Sequence, residues 1–306
     1  MNLIFLLIGL SFLVFGAELI IRGSISFGKK LKVSLFAIGV VIVAGGTSLP
    51  ELASSINAVI TNHADLAVGA VIGSNIANLI LVMATTSFLI PISNINQNQI
   101  NQAWVNIGLT LILISMSFLI LPFNFIYGIL SIAFLFFIMF IQVKQGSLNI
   151  SEVGEKGDYS LLISIIFIIS GIILLIYGSD LFVESAINIA NQLNISEAII
   201  GVSLVAFGTS LPELFVGILS AIRRKVDFAL GNVLGSNIYN VLGVLGISSF
   251  FGNFKIPSVI GSEDLIFMLI VTIMILGFMF LKKRIGRTYG SIGLVLYFSY
   301  IFYIYT

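Results

Sequence analysis

Ten apolar stretches dominate this 306-residue chain: 2–21, 34–60, 66–91, 103–121, 125–143, 160–187, 197–222, 228–251, 264–281 and 289–305. A helix needs about 20 predominantly apolar residues to cross a bilayer core. Transmembrane barrels instead alternate apolar and polar residues over about ten positions, and these runs do not. The expected fold is therefore an all-α membrane protein of ten transmembrane helices. Charged residues make up 9% of the chain and hydrophobic ones 58%. Soluble domains run nearer a quarter charged, so a water-facing globule is excluded. Several stretches exceed 20 residues and contain Gly, Ser or Pro, which predicts tilted or interrupted helices. Residues 3–21 lack a basic flank and a small-residue cleavage site, so they read as a retained span rather than a signal peptide.

The bases orient the spans. All of the 14 Lys and Arg except Lys255 fall in loops or span ends that a ten-span path places on one side, among them Lys30, Lys144, Lys156, Arg224 and Arg284. Basic loops stay in the cytoplasm. The expectation is a cell-membrane protein with both termini outside and the linker 144–159 cytoplasmic. Net charge is close to zero, and no nucleic-acid partner is expected. There are no cysteines, which removes disulfides, thiolate metal sites and cysteine nucleophiles. The single histidine, His63, reads as a solvated loop residue.

The chain also repeats itself. Residues 38–52, IGVVIVAGGTSLPEL, match 200–214, IGVSLVAFGTSLPEL, differing only at Val41/Ser203, Ile42/Leu204 and Gly45/Phe207. At the same offset of 162, VGAVIGSNIAN at 68–78 faces LGNVLGSNIYN at 230–240, and Gly9, Gly16, Glu18 and Leu19 face Gly171, Gly178, Asp180 and Leu181. Each copy, 1–143 and 160–306, holds five spans. An odd number makes the second copy enter the membrane from the opposite side. Inverted repeats of this kind place a substrate site near the midplane, between the copies, with broken helices around it.

Most acids sit in loops, but Glu51 and Glu213 fall near the middle of apolar stretches, where an ionised carboxylate costs a few kcal/mol or more. No base lies at that depth, so the partner is a proton or a bound cation. Pro50 and Pro212, with Gly46 and Gly208, predict that the helix opens around Gly-Thr-Ser-Leu-Pro and frees carbonyls of Ala44, Thr47, Ala206 and Thr209. Hydroxyls of Thr47, Thr209, Ser48, Ser210, Ser74 and Ser236 and amides of Asn78 and Asn240 complete an all-oxygen set. Calcium accepts 6–8 oxygen ligands in flexible geometry, and two carboxylates neutralise one divalent ion. Transition metals favour imidazole or thiolate, which are not present at depth. Ser24, Ser54, Ser55 and Gly69 read as packing residues, Glu18 and Asp180 as caps or structural bonds. Asn75 and Asn237 read equally as interhelical hydrogen-bond partners or as ligands.

With GTSLPE at 46–51 and 208–213, each followed by GSN at 73–75 and 235–237, the chain resembles prokaryotic members of the sodium/calcium exchanger family, within the calcium/cation antiporters. The resemblance covers nearly the whole chain. It implies calcium liganded by Glu51 and Glu213 with the carbonyls of Thr47 and Thr209, and sodium held by Ser48, Ser210, Ser74, Ser236 and the carbonyls of Ala44 and Ala206. It also implies electrogenic antiport of Na+ and Ca2+ by a monomer, with no cofactor beyond the transported ions. Many relatives carry Asp at the position of Asn240; the neutral Asn78 and Asn240 argue against potassium co-transport. Proton-coupled calcium antiport and, in a different class, a cation channel remain alternatives. No nucleophile–base set or metallopeptidase motif points to an enzyme.

Overall fold

The structure, a computed structural model, describes residues 2–146, 159–192, 208–257 and 263–304. Ala206 and most of the expected linker lie outside these residues. The described helices are α1 (Asn2–Leu31), α2 (Leu35–Thr47), α3 (Leu49–Ile60), α4 (Ala64–Leu89), α5 (Gln97–Phe118), α6 (Phe125–Gln145), α7 (Leu161–Gln192), α8 (Leu211–Ile222), α9 (Val226–Ser248), α10 (Glu263–Lys282) and α11 (Arg287–Ile304).

Glycines draw α1 and α7 together. A Cβ at Gly9 would lie 2.9 Å from the Gly178 carbonyl oxygen, one at Gly16 2.8 Å from that of Gly171, and one at Gly23 2.8 Å from that of Ser164. Rising numbers on α1 meet falling numbers on α7, so the two helices run antiparallel. Small residues are what let membrane helices approach backbone to backbone. The pairing is also reciprocal: Gly9 meets the sequence mate of Gly16, and Gly16 meets the mate of Gly9. That reciprocity is the signature of a two-fold contact.

The innermost helices are α4 and α9, buried over 78% and 94% of their most apolar windows, against 33% for α1 and 28% for α7. α2 packs on α9, where a Cβ at Gly235 would lie 2.7 Å from Val40 Cα and 2.8 Å from Ala44 Cβ. Among the described residues three π-helical turns interrupt this core: Gly39–Val43 in α2, Asn78–Val82 in α4 and Tyr239–Val244 in α9. Such turns carry one extra residue and cluster at functional sites. The outer helices instead present large apolar side chains such as Phe136, Phe140 and Leu281 outward, as hydrocarbon requires. A two-residue clip, β1 (Ile92–Ser93) against β2 (Arg284–Ile285), ties the segment before α5 to the α10–α11 connection.

Among the described residues seven helices are long and apolar enough to cross a membrane (α1, α4, α5, α6, α7, α9 and α10), and the bent pair α2–α3 makes an eighth. The ten spans expected from the sequence are thus only partly reached, for two reasons. α8 has 12 residues because it restarts after Ser210, and the residues 197–207 of its apolar stretch lie outside the described ones. α11 is diluted by Arg287, Gly290, Gly293 and several tyrosines and serines.

The glycine contact predicts an asymmetric pair of outcomes. Gly16→Leu should destabilise the protein by about 1–3 kcal/mol through overpacking against α7. Gly108→Ala on α5, where a Cβ meets nothing within 4 Å, should be neutral or stabilise by about 0.5–1 kcal/mol. Thermal unfolding in detergent reads both.

Candidate cation site at two broken helices

The helix break expected at Gly-Thr-Ser-Leu-Pro is present, and its form follows from proline. Pro50 and Pro212 are each the second residue of a new helix, α3 and α8. There the missing N–H has no helical partner to lose. Ser48 and Ser210 lead these helices with φ,ψ of −85°,7° and −90°,1°. α2 and α3 consequently meet at a 43° bend. The glutamate following each proline lies in the first turn, with its own backbone N–H facing its carboxylate. The positive end of a helix dipole favours an anion at that place.

One carbonyl is not freed as expected. The Ala44 oxygen accepts the Ser48 N–H at 3.1 Å and the Thr47 hydroxyl at 3.4 Å, because α2 still closes its last turn on Ser48.

Glu51 and Glu213 are 2% and 1% exposed and close enough to repel each other. Ser74 donates to Glu51 Oε1 at 3.3 Å, while Thr47 and Ser236 interact with the Glu213 carboxylate. Thr47 Oγ1 also lies 3.4 Å from Asn232 Oδ1 and 3.5 Å from Ser236 Oγ. One helical turn beyond Ser74 and Ser236 stand Asn78 and Asn240, on the same faces of α4 and α9. Asn78 donates to Asn237 Oδ1 and Asn240 to Asn75 Oδ1, each at 3.0 Å, and Asn237 donates to the Asn75 carbonyl at 3.1 Å. Asn75 and Asn237 are thus interhelical hydrogen-bond partners.

Among the described residues twelve buried side-chain oxygens receive no hydrogen bond from the protein, and six of them form three pairs at the repeat offset: Ser48 and Ser210 Oγ, Glu51 and Glu213 Oε2, Asn78 and Asn240 Oδ1. Each residue of these pairs is a ligand candidate from the sequence. Leaving one such acceptor unsatisfied costs about 1–3 kcal/mol, and more for a charged one. A set this regular fits a ligand that is all positive charge and no acceptor.

Thr47, Ser74 and Ser236 are buried beside this set, whereas Thr209 is only partly buried. Sequence reasoning missed Asn232, buried and touching Thr47; the only available signal was that Ala70 occupies its mate position. Glu18 lies outside the cluster and forms a structural ion pair with Arg22 at 2.6 Å and with Arg223. His63 is exposed, beside Thr61.

The family model described as sodium/calcium exchanger protein matches residues 1–144 and 163–306. The chain belongs to the sodium/calcium exchanger family. An uncharacterized membrane protein of Methanocaldococcus jannaschii is 34% identical over 96% of this chain and 94% of its own length. The sodium/calcium exchanger MaX1 of Methanosarcina acetivorans is 29% identical over 98% of this chain and 97% of its own. Among solved structures, the sodium-calcium exchanger NCX_Mj soaked with Na+ and Sr2+ superposes with a TM-score of 0.85 at 32% identity, covering 98% of this chain and 97% of that one.

The geometry predicts that neutralising a glutamate relieves the pair when no cation is supplied. In sodium- and divalent-free buffer, Glu51→Gln and Glu213→Gln should each raise stability by about 1–3 kcal/mol, since a buried amide costs less than a buried unpaired carboxylate. Thermal unfolding of the purified variants checks this, and a lower midpoint for both contradicts it.

Proposed function

We propose that this protein is a secondary active antiporter that exchanges Na+ for Ca2+ electrogenically, at a site formed by Glu51, Glu213, Ser48, Ser210, Ser74, Ser236, Asn78, Asn240, Thr47 and Thr209 with the backbone carbonyl of Ala206. The observation that carries the reading is the paired set of buried oxygens with no protein donor. Calcium takes oxygen ligands in that number and variety. Family membership and the likeness to NCX_Mj support sodium as the counter-ion. The ions are cargo, and no resident cofactor is part of the proposal.

The proposed architecture is ten spans in two inverted five-helix repeats, acting as a monomer in the cell membrane. The reciprocal antiparallel contact of α1 with α7 supports inversion, because sequence mates run in opposite directions there. The distribution of bases supports termini outside and the 144–159 linker in the cytoplasm. Single cysteines at positions 30 and 255, in a parent that has none, should label from opposite sides with an impermeant thiol reagent. Labelling from the same side contradicts the inverted repeat.

The charge count sets the electrical behaviour. Ca2+ between two ionised glutamates gives a net charge near zero, and three sodium ions on the same pair give about one positive charge. Asn78 and Asn240 stay neutral and leave that difference intact. A 100 mV potential acting on one charge is worth about 2.3 kcal/mol. In proteoliposomes holding sodium, Ca2+ uptake should require the outward sodium gradient, slow when a valinomycin clamp makes the interior negative, and quicken when the clamp makes it positive. Glu51→Gln and Glu213→Gln should abolish it. Uptake indifferent to voltage rules out the three-sodium count, and uptake driven by a pH gradient without sodium assigns proton coupling instead.

A further inference from the structure

Both Asn78 and Asn240 turn oxygen rather than nitrogen to the side left without a protein partner. The cause begins at a backbone carbonyl. The Asn75 C=O can only accept, and Asn237 Nδ2 donates to it at 3.1 Å. That bond fixes the direction of the Asn237 amide, whose Oδ1 then faces Asn78 and takes its Nδ2–H at 3.0 Å. Asn78 has thereby committed its NH2 group, and its Oδ1 is the atom left over. On the other side Asn240 commits its Nδ2 to Asn75 Oδ1 at 3.0 Å, and its Oδ1 is left over in the same way. All four residues are buried, so water does not compete. Reversing one amide would set two acceptors or two NH2 groups against each other, at about 1–3 kcal/mol.

We propose that Asn75 and Asn237 are positioning residues for cation binding, acting through Asn240 and Asn78 by holding those amide oxygens toward the ions. The aim crosses the repeat boundary: Asn237 of the second copy directs Asn78 of the first, and Asn75 of the first directs Asn240 of the second. The stake is the sign of the interaction, because a carboxamide attracts a cation with its oxygen and repels it with its NH2. The inference rests on the reading of Asn78 and Asn240 as ligands and goes beyond it in naming what makes them ligands.

The test is a double-mutant cycle on the full chain in liposomes. Its readout is the half-saturating concentration in sodium-free 45Ca2+/Ca2+ exchange. Asn78→Ala and Asn237→Ala should each raise that concentration about tenfold, and the double variant should be no worse than Asn78→Ala alone, since residues acting as one unit do not add. The same holds for Asn240→Ala with Asn75→Ala. A merely structural role for Asn237 gives independent costs, with the double variant weaker by about a hundredfold, and that result overturns the proposal. So does an Asn237→Ala protein with unchanged half-saturation. Should Asn237→Ala fail to fold, Asn237→Ser replaces it in the same cycle with the same two outcomes. Additive costs leave wild-type exchange and its dependence on Glu51 intact; absence of wild-type exchange removes the underlying reading instead.

Discussion

Two carboxylates facing each other inside an apolar bundle are the constraint to which the rest of this structure answers. Neither has a base beside it in the described site, and each is held in the first turn of a helix that restarts at a Ser-Leu-Pro break. The helix dipole and the glutamate's own N–H supply part of the missing positive charge. They do not remove the mutual repulsion of the pair. In the exchange proposed above, each arriving cation relieves that repulsion, and a buried lysine would relieve it permanently.

Around that pair the two copies share labour. α1 and α7 close on each other through glycines, while the buried α4 and α9 bring one Ser and one Asn each to the carboxylates. Cross-repeat bonds dominate the site: Thr47 reaches Ser236 and Asn232, and Asn78 reaches Asn237. A site made this way cannot form in either half alone. It also explains why the breaks are π-helical turns and a bend rather than loops, since irregular backbone at membrane depth survives only when buried in protein or lining a cavity.

Much of this was legible in the sequence because repetition did the work of an alignment. Glu51 and Glu213 stand out as charges in apolar runs, and GTSLPE announces a helix that stops and restarts. The π turns were not legible: Asn78–Val82 and Tyr239–Val244 are apolar runs like any other, and an extra residue per turn leaves no mark in composition. Nor was the fate of the Ala44 carbonyl, which depends on whether Ser48 still closes the turn before the bend. The directions of the asparagine amides were also hidden, because a sequence names the group and not which end of it is already bonded.

The departures from symmetry separate the two halves chemically. Tyr239, whose mate is Ala77, lays its ring on Gly45, where a Cβ would lie 2.9 Å from it, and donates to the Val41 carbonyl at 2.7 Å. Gly45, where the second copy has Phe207, is therefore the space that admits a tyrosine. Asn232, whose mate is Ala70, adds an amide beside Thr47 that has no counterpart in the first copy. Equal carboxylates thus sit in unequal surroundings: one is lined by a hydroxyl of Ser74, the other by hydroxyls of Thr47 and Ser236 with an amide behind them. A carboxylate's preference for a cation depends on the oxygens that complete the shell. Under the ion site proposed above, two subsites that differ in that respect would fill with different ions at different concentrations. An exchanger that must hold either one divalent or several monovalent ions has a use for that inequality, which perfect repeats would have denied it.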